Sequence, residues 1–240
     1  MKIFGIIPAR YGSTRFPGKP LAELRGKPMI LHTLESALSS TALEHVVVAT
    51  DHPGIYETVT AAGHRAVMTR EDHPSGTDRC LEALHQLDAS VEAVINIQGD
   101  EPFVAPEAIA ELAALLRAGA PVATLCTPLP RAEAANPNRV KVVKDLCGRA
   151  LYFSRSIVPF DRGGVAPENC FLHLGMYGYS RSGLETIAAL APSDLERTES
   201  LEQLRWLEHG VEIRIAETAH TAHGVDTPED LEALNRQPGS

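Results

Sequence analysis

The sequence predicts an α/β protein with a mostly parallel central sheet and helices on both faces. Strand-like and helix-like segments alternate through the first half of the chain, the pattern of βαβ units. Residues 3–8 (I-F-G-I-I-P) are an unbroken apolar run, as expected of a strand covered on both faces. After about residue 128 the rhythm changes to short strands around a polar turn. That change is read as a smaller lid or dimerisation insert, roughly residues 130–180, within a single 1–240 domain.

A helical pattern over residues 28–38 follows the first strand, with Pro28 at its first position, where the missing N–H costs nothing. Residues 45–50 (H-V-V-V-A-T) form a β-branched strand run, and a helix over 53–62 stops at Gly63. A short strand over 65–68 precedes a helix over 75–87 with apolar residues at helical spacing. Next come a strand over 91–97 (V-E-A-V-I-N-I), a helix over 106–117 and a strand over 122–126. In the second half, runs at 140–144 and 150–153 flank a polar turn at 145–148, a hairpin signal. Residues 161–169 read as loop, 172–179 as strand, 182–190 and 199–208 as helices, and 211–216 as strand. The last helix opens at T-P-E-D (227–230), with a cap-like Thr227 and acids at the positive dipole end. There is no internal repeat and no flexible linker.

Composition bounds the function. With 44% hydrophobic and 22% charged residues the chain is ordinary globular protein. No apolar run approaches the roughly 20 residues of a membrane helix. The first apolar stretch turns polar at Ala9-Arg10, too soon for a secretory signal, so the expected location is the cytoplasm. Cys80, Cys126, Cys147 and Cys170 form no C-x-x-C pair and are expected to be buried thiols. The ten histidines lack metal-ligand spacing. Residues 1–30 carry +5 in a chain of net charge −9, a local cationic patch that points to a small polyanion rather than nucleic acid.

Four clusters can carry chemistry. The loop over residues 8–20 presents Ala9, Arg10, Gly12, Ser13, Thr14, Arg15, Gly18 and Lys19 directly after a buried strand. Backbone N–H groups, hydroxyls and cations there can cradle a triphosphate, although G-x-x-x-x-G-K-[ST] is absent. Gln98-Gly99-Asp100-Glu101-Pro102 follows another strand, and Asp100 is placed to hold Mg²⁺ beside phosphates. Mg²⁺ needs a second carboxylate, and Asp226 is the remote candidate, although by itself Asp226 reads more readily as a helix-capping acid. Ser75-Gly76-Thr77-Asp78-Arg79 opens a helix whose free N–H groups can meet a base or phosphate, or merely be capped. Downstream, Arg155, His173, Tyr177, Glu202 and Gln203 could together grip an acidic sugar, with Arg155 suited to a carboxylate; singly, such residues are more often core or interface.

In order along nearly the whole chain, the motifs I-I-P-A-R-Y-G-S-T-R-F-P-G-K-P-L, V-A-T-D, S-G-T-D-R, N-I-Q-G-D-E-P, N-R-V-K-V-V, A-L-Y-F-S-R, H-L-G-M-Y-G-Y, L-E-Q-L-R and G-V-D-T-P-E-D-L occur. This set resembles the 3-deoxy-manno-octulosonate (Kdo) cytidylyltransferases of lipopolysaccharide assembly. The resemblance implies a nucleotide-diphospho-sugar-transferase-like (Rossmann-like) fold, Mg²⁺ dependence and a homodimer; the charge pattern and the lack of a long apolar run add the expectation of no nucleic-acid and no membrane partner. The reaction implied is CTP plus Kdo giving CMP-Kdo and diphosphate. Carried onto matching positions, Arg10 and Lys19 hold the triphosphate, with Ala9, Gly12, Ser13, Ser75 and Thr77 near the nucleotide. Asp100 and Asp226 bind Mg²⁺, and Gln98, Arg155, His173, Tyr177, Glu202 and Gln203 line the sugar pocket. Gly12 stands where relatives often have alanine, and the 161–169 loop is shorter than in several of them. The amino-terminal loop alone also suits sialic acid activation; an 8-amino Kdo analogue and a non-catalytic nucleotide-sugar sensor are the remaining alternatives.

Overall fold

The computed structural model describes residues 1–12, 16–163, 170–221 and 224–236. They fall into two compact units, Met1–Ala110 with His220–Ser240, and Glu111–Ala219. The segment expected as an insert lies inside the second unit.

The first unit begins with β1 (Ile3–Ala9), a one-turn 3₁₀ helix (Lys19–Leu21) and a two-stranded hairpin of β2 (Glu23–Leu24) and β3 (Lys27–Pro28). Next come α1 (Met29–Leu38), β4 (His45–Thr50), α2 (Pro53–Ala61), β5 (Arg65–Met68), α3 (Gly76–Gln86) and β6 (Ala93–Asn96). The strands run β6-β1-β4-β5, every neighbouring pair parallel. Ile3, Ile6 and Ile7 of β1 are all buried, which accounts for its unbroken apolar run. The order matters for function. From β1 the chain builds outward through β4 and β5, then returns through α3 to set β6 on the other side of β1. The strand order therefore reverses between β1 and β6, and in open parallel sheets ligands bind at the carboxyl ends of such a pair.

Helix α4 (Pro106–Arg117) carries the chain into the second unit, which holds β7 (Val122–Pro128), β8 (Lys141–Lys144), β9 (Ala150–Ser154) and β10 (Phe171–Ser180). Helices α5 (Arg181–Ala188), α6 (Asp194–Glu199) and α7 (Glu202–Glu208) and strand β11 (Ile213–Glu217) complete it. β7 lies between a parallel β11 and an antiparallel β10, and β8 pairs with β10 and β9. The expected hairpin is present, its turn held by the Asp145 carboxylate, which accepts N–H groups of Cys147 and Arg149 at 2.8 and 2.9 Å. Gly178 of β10 has a packing reason: a Cβ there would stand 2.9 Å from the Leu116 side chain.

Two expectations need correction. The helix predicted over 199–208 is α7, which starts three residues later at Glu202, and the expectation lacks the separate helix α6 just before it. Ser193 and Glu196 form a reciprocal capping box that starts α6, and Ser200, in the left-handed conformation at φ 51°, breaks the helix before α7. Of the four cysteines, all free thiols, Cys147 is exposed rather than buried because it sits in the hairpin turn. No helix among the described residues is long and apolar enough to cross a membrane.

The last element among the described residues is α8 (Pro228–Arg236) in the first unit, where Leu231 and Leu234 pack with Leu24, Met29 and Val225. The Asp230 carboxylate accepts the N–H groups of Asp226 and Thr227, both at 2.9 Å, while the Thr227 hydroxyl accepts the Asp230 N–H at 3.3 Å. The capping acid is thus Asp230. Asp226 stands just outside the cap, its neighbour Val225 fully buried.

Candidate active site

The crevice expected between β1 and β6 is present in the first unit as a cavity of about 280 Å³. Its lining includes Ala9, Arg10 and Lys19 from the loop after β1, Gln98 and Asp100 from the loop after β6, Ser75 at the start of α3, and Asp226. All seven are among the residues that the sequence marks as candidates. Gly12 is exposed close by, beside Tyr11, and Thr77 is buried in the first turn of α3. Ser13 lies outside the described residues, as do Thr14 and Arg15.

Several local devices fix this arrangement. Gly18, in the left-handed conformation at φ 71°, starts the 3₁₀ turn that presents Lys19, and a Cβ there would stand 3.3 Å from the Tyr11 ring. Gly99 lets the two loops touch, since a Cβ there would lie 2.8 Å from the Pro8 carbonyl oxygen. Helix α1 ties the loop after β6 down: the Ser36 hydroxyl donates to the Pro102 carbonyl at 3.0 Å and that of Thr33 to Gly99 at 3.4 Å. The Val225 N–H donates to the Asp100 carbonyl at 2.8 Å, which brings the segment before α8 against the same loop.

The outcome is electrostatic. The Lys19 ammonium lies 2.9 Å from the Asp100 carboxylate and 3.9 Å from that of Asp226, and it donates to the Val225 carbonyl at 2.8 Å. Two carboxylates distant in sequence thus converge on one cation. This donor set fits Mg²⁺, a hard ion that takes one or two carboxylates and completes its shell with phosphate oxygens and water. Beside Asp100, burial and then the Asp100 charge push the Glu101 carboxyl up to about 7, so it is only partly ionised at neutral pH.

Sequence reasoning missed a clamp beneath the crevice. The buried Arg79 guanidinium donates to the Asp51 carboxylate at 2.8 Å, to the Thr69 hydroxyl at 2.6 Å and to the Arg70 carbonyl at 3.1 Å. The other Asp51 oxygen accepts the Tyr11 N–H at 3.2 Å. Asp51 and Arg79 stand in the V-A-T-D and S-G-T-D-R motifs, but only the fold shows that they meet. His73, also on the crevice wall, had no signal in its spacing.

Of the residues expected around a sugar, Gln98 is in the first unit and the rest are in the second. There His173 and Tyr177 flank a register shift in β10, with ring centroids 5.3 Å apart. The His173 Nε2 is 3.0 Å from the Thr124 hydroxyl, which also contacts the Leu174 and Met176 carbonyls. A hydroxyl has one proton, and a carbonyl takes it, so the imidazole is the donor in its own contact. Burial of the ring, packed edge-on against Phe153, lowers the His173 pKa to about 3. Tyr177 is buried, and desolvation, then Tyr179 and Glu202, hold its phenol well above its usual range. Gln203 is buried on α7 beside the half-buried Glu202. The Arg155 guanidinium donates to the carbonyls of Glu199, Pro137 and Ser200 at 2.7, 3.0 and 3.3 Å, which engages three of its five N–H donors.

A cation-rimmed crevice at the strand-order reversal of a parallel sheet, with paired carboxylates inside it, defines an α/β nucleotidyltransferase. Residues 4–213 match the family model described as cytidylyltransferase. The 3-deoxy-manno-octulosonate cytidylyltransferase of Syntrophobacter fumaroxidans is 50% identical, covering 98% of this chain and 96% of its own. The Escherichia coli protein of the same name is 48% identical over 95% of this chain and 93% of its own. A solved structure of CMP:2-keto-3-deoxy-manno-octonic acid synthetase complexed with CTP superposes with TM-score 0.93 at 46% identity, covering 98% of this chain and 97% of that one. The chain belongs to the cytidylyltransferase family and, within it, to the 3-deoxy-manno-octulosonate cytidylyltransferases.

Proposed function

We propose that the protein transfers a cytidylyl group from CTP to Kdo, forming CMP-Kdo and diphosphate for lipopolysaccharide assembly in the cytoplasm. The observation that carries this reading is the convergence of Asp100 and Asp226 on Lys19 inside the crevice. The Lys19 ammonium occupies the pair's field as a stand-in cation. Asp100 and Asp226 would hold Mg²⁺, which when bound supplies charge neutralisation on phosphate oxygens and acidity to a nearby hydroxyl.

The anomeric hydroxyl of the sugar attacks the α-phosphorus of CTP, a phosphorus–oxygen bond forms, and the bond to diphosphate breaks as that group leaves. Arg10 and Lys19 neutralise charge on the triphosphate and on the leaving diphosphate. The N-terminus of α3, capped by Ser75, adds a positive dipole end at the crevice wall. Gln98, Arg155, His173, Tyr177, Glu202 and Gln203 orient the sugar. His173, neutral at physiological pH, acts there as a hydrogen-bonding group and not as a base. Positioning and electrostatics carry the reaction without a covalent enzyme intermediate.

The working form in this reading is a homodimer. Strand β9 pairs only with β8 among the described residues, and Leu151, Ile157 and Phe160 on and after it are exposed. An apolar strip beside an open strand edge suits a second copy of the chain.

The test is diphosphate release with CTP, Mg²⁺ and a panel of acidic sugars. Release is expected with Kdo. Tight CTP binding without release from any sugar contradicts the transferase reading, and release only with a sialic acid or an 8-amino analogue reassigns the acceptor.

A further inference from the structure

The segment that leads into α3 forms one wall of the crevice through His73, Pro74, Ser75, Gly76 and Arg79. Most of its polar side chains already have partners within the protein. Arg79 is held by Asp51, Thr69 and Arg70. The Ser75 hydroxyl donates to the Asp78 carboxylate at 2.6 Å and accepts the Asp78 N–H at 3.2 Å, the ordinary work of a cap.

His73 differs. Its side chain is only 4% exposed, and its Nε2 is hydrogen-bonded to the Glu82 carboxylate, which also accepts the Arg70 N–H at 3.1 Å. Its Nδ1 is buried and has no hydrogen-bond partner among the described residues. A carboxylate on Nε2 fixes the proton of a neutral imidazole on that nitrogen, leaving Nδ1 as a lone-pair acceptor. Burial would raise the Glu82 pKa, but the Arg70 N–H and then His73 outweigh it and hold the group low, so the carboxylate stays ionised at neutral pH.

We propose that His73 Nδ1 accepts a hydrogen bond from the 4-amino group of the nucleotide base and thereby selects cytosine over uracil. The inference rests on the reading of the crevice as a CTP site. Cytosine presents a donor at C4 where uracil presents a carbonyl oxygen, so uracil would set two acceptors face to face. A shielded acceptor strengthens the correct pairing and penalises the wrong one more than a wet one would. Sites built around such a partner discriminate strongly against analogues that cannot supply it. Glu82 and Arg79 are positioning residues here: one sets the tautomer, the other holds the loop.

The experiment compares kcat/KM for CTP, UTP and the triphosphate of the pyrimidin-2-one nucleoside, which lacks the 4-amino group, in wild type and His73→Phe. Wild type should favour CTP over the 4-unsubstituted analogue by tenfold or more, and in His73→Phe that ratio should fall to within about threefold of unity, a loss on the scale of one hydrogen bond. In wild type labelled with ¹⁵N-histidine, the Nδ1 resonance of His73 should move on addition of CTP and stay in place with the analogue; this readout needs no variant. An unchanged ratio in a folded His73→Phe, or an Nδ1 signal indifferent to CTP, overturns the inference while leaving the CTP reading intact. Failure of wild type to bind or turn over CTP overturns both.

Discussion

Lys19 and Asp100, one from the loop after β1 and the other from the loop after β6, are joined by a 2.9 Å ion pair at the point where the strand order reverses. The same ammonium lies 3.9 Å from Asp226. Three residues from three parts of the sequence thus act as one electrostatic unit. Asp100→Ala removes half of the carboxylate pair and should lower kcat by on the order of a hundredfold or more, the scale of a lost transition-state electrostatic group. Diphosphate release at saturating CTP and Mg²⁺ measures it, and wild-type turnover would contradict the assignment.

Lys19→Met and Arg10→Ala should act on the nucleotide. Each removes one positive charge from the crevice rim, and the apparent KM for CTP should rise about tenfold, the equivalent of one charge-assisted hydrogen bond. Initial rates over a CTP series read the effect. If both variants kept wild-type CTP kinetics, the loop after β1 would not be the triphosphate site.

The Asp51–Arg79 clamp predicts a stability effect. Both side chains are largely buried, and removing one partner strands the other's charge. Asp51→Ala should cost about 3–5 kcal/mol in chemical denaturation. A loss below about 1 kcal/mol, the range of an exposed pair, would mean the clamp contributes little.

His173 predicts the shape of the acid limb. Its folded pKa, about 3, lies below the ordinary histidine value of 6.5, so between those values the unfolded chain binds more protons. Stability from the neutral ring is therefore fully present above pH 6.5 and declines on acidification toward pH 3, by at most about 1.4 kcal/mol per pH unit. His173→Gln should flatten the stability profile in that window. A variant that kept the wild-type slope would show that the ring carries no such shift.

Much of the first unit was legible because its signals are local. An apolar run such as Ile3–Ala9 announces a doubly covered strand, and a cationic loop after it announces an anion site. The carboxylates were legible as residues, and their pairing followed from the family resemblance rather than from a local signal: Asp226 reads locally as a cap, and the packing of Val225 with Leu24 and Met29, with its N–H on the Asp100 carbonyl, explains its position. The Asp51–Arg79 clamp and the unpaired His73 nitrogen had no local signature, since each is defined by what lies across space. Helix α6 is different: the Ser193-x-x-Glu196 box was present in the sequence, and the left-handed Ser200 that separates α6 from α7 was not readable from a serine.

The most direct measurement is the position of a divalent ion in crystals grown with CTP and Mn²⁺ as an anomalous substitute for Mg²⁺. One Mn²⁺ peak is expected, bonded to carboxylate oxygens of both Asp100 and Asp226 and to a phosphate oxygen, with Lys19 moved from the pair toward the triphosphate. An ion held by the triphosphate alone, with the two aspartates still paired to Lys19, would contradict that placement.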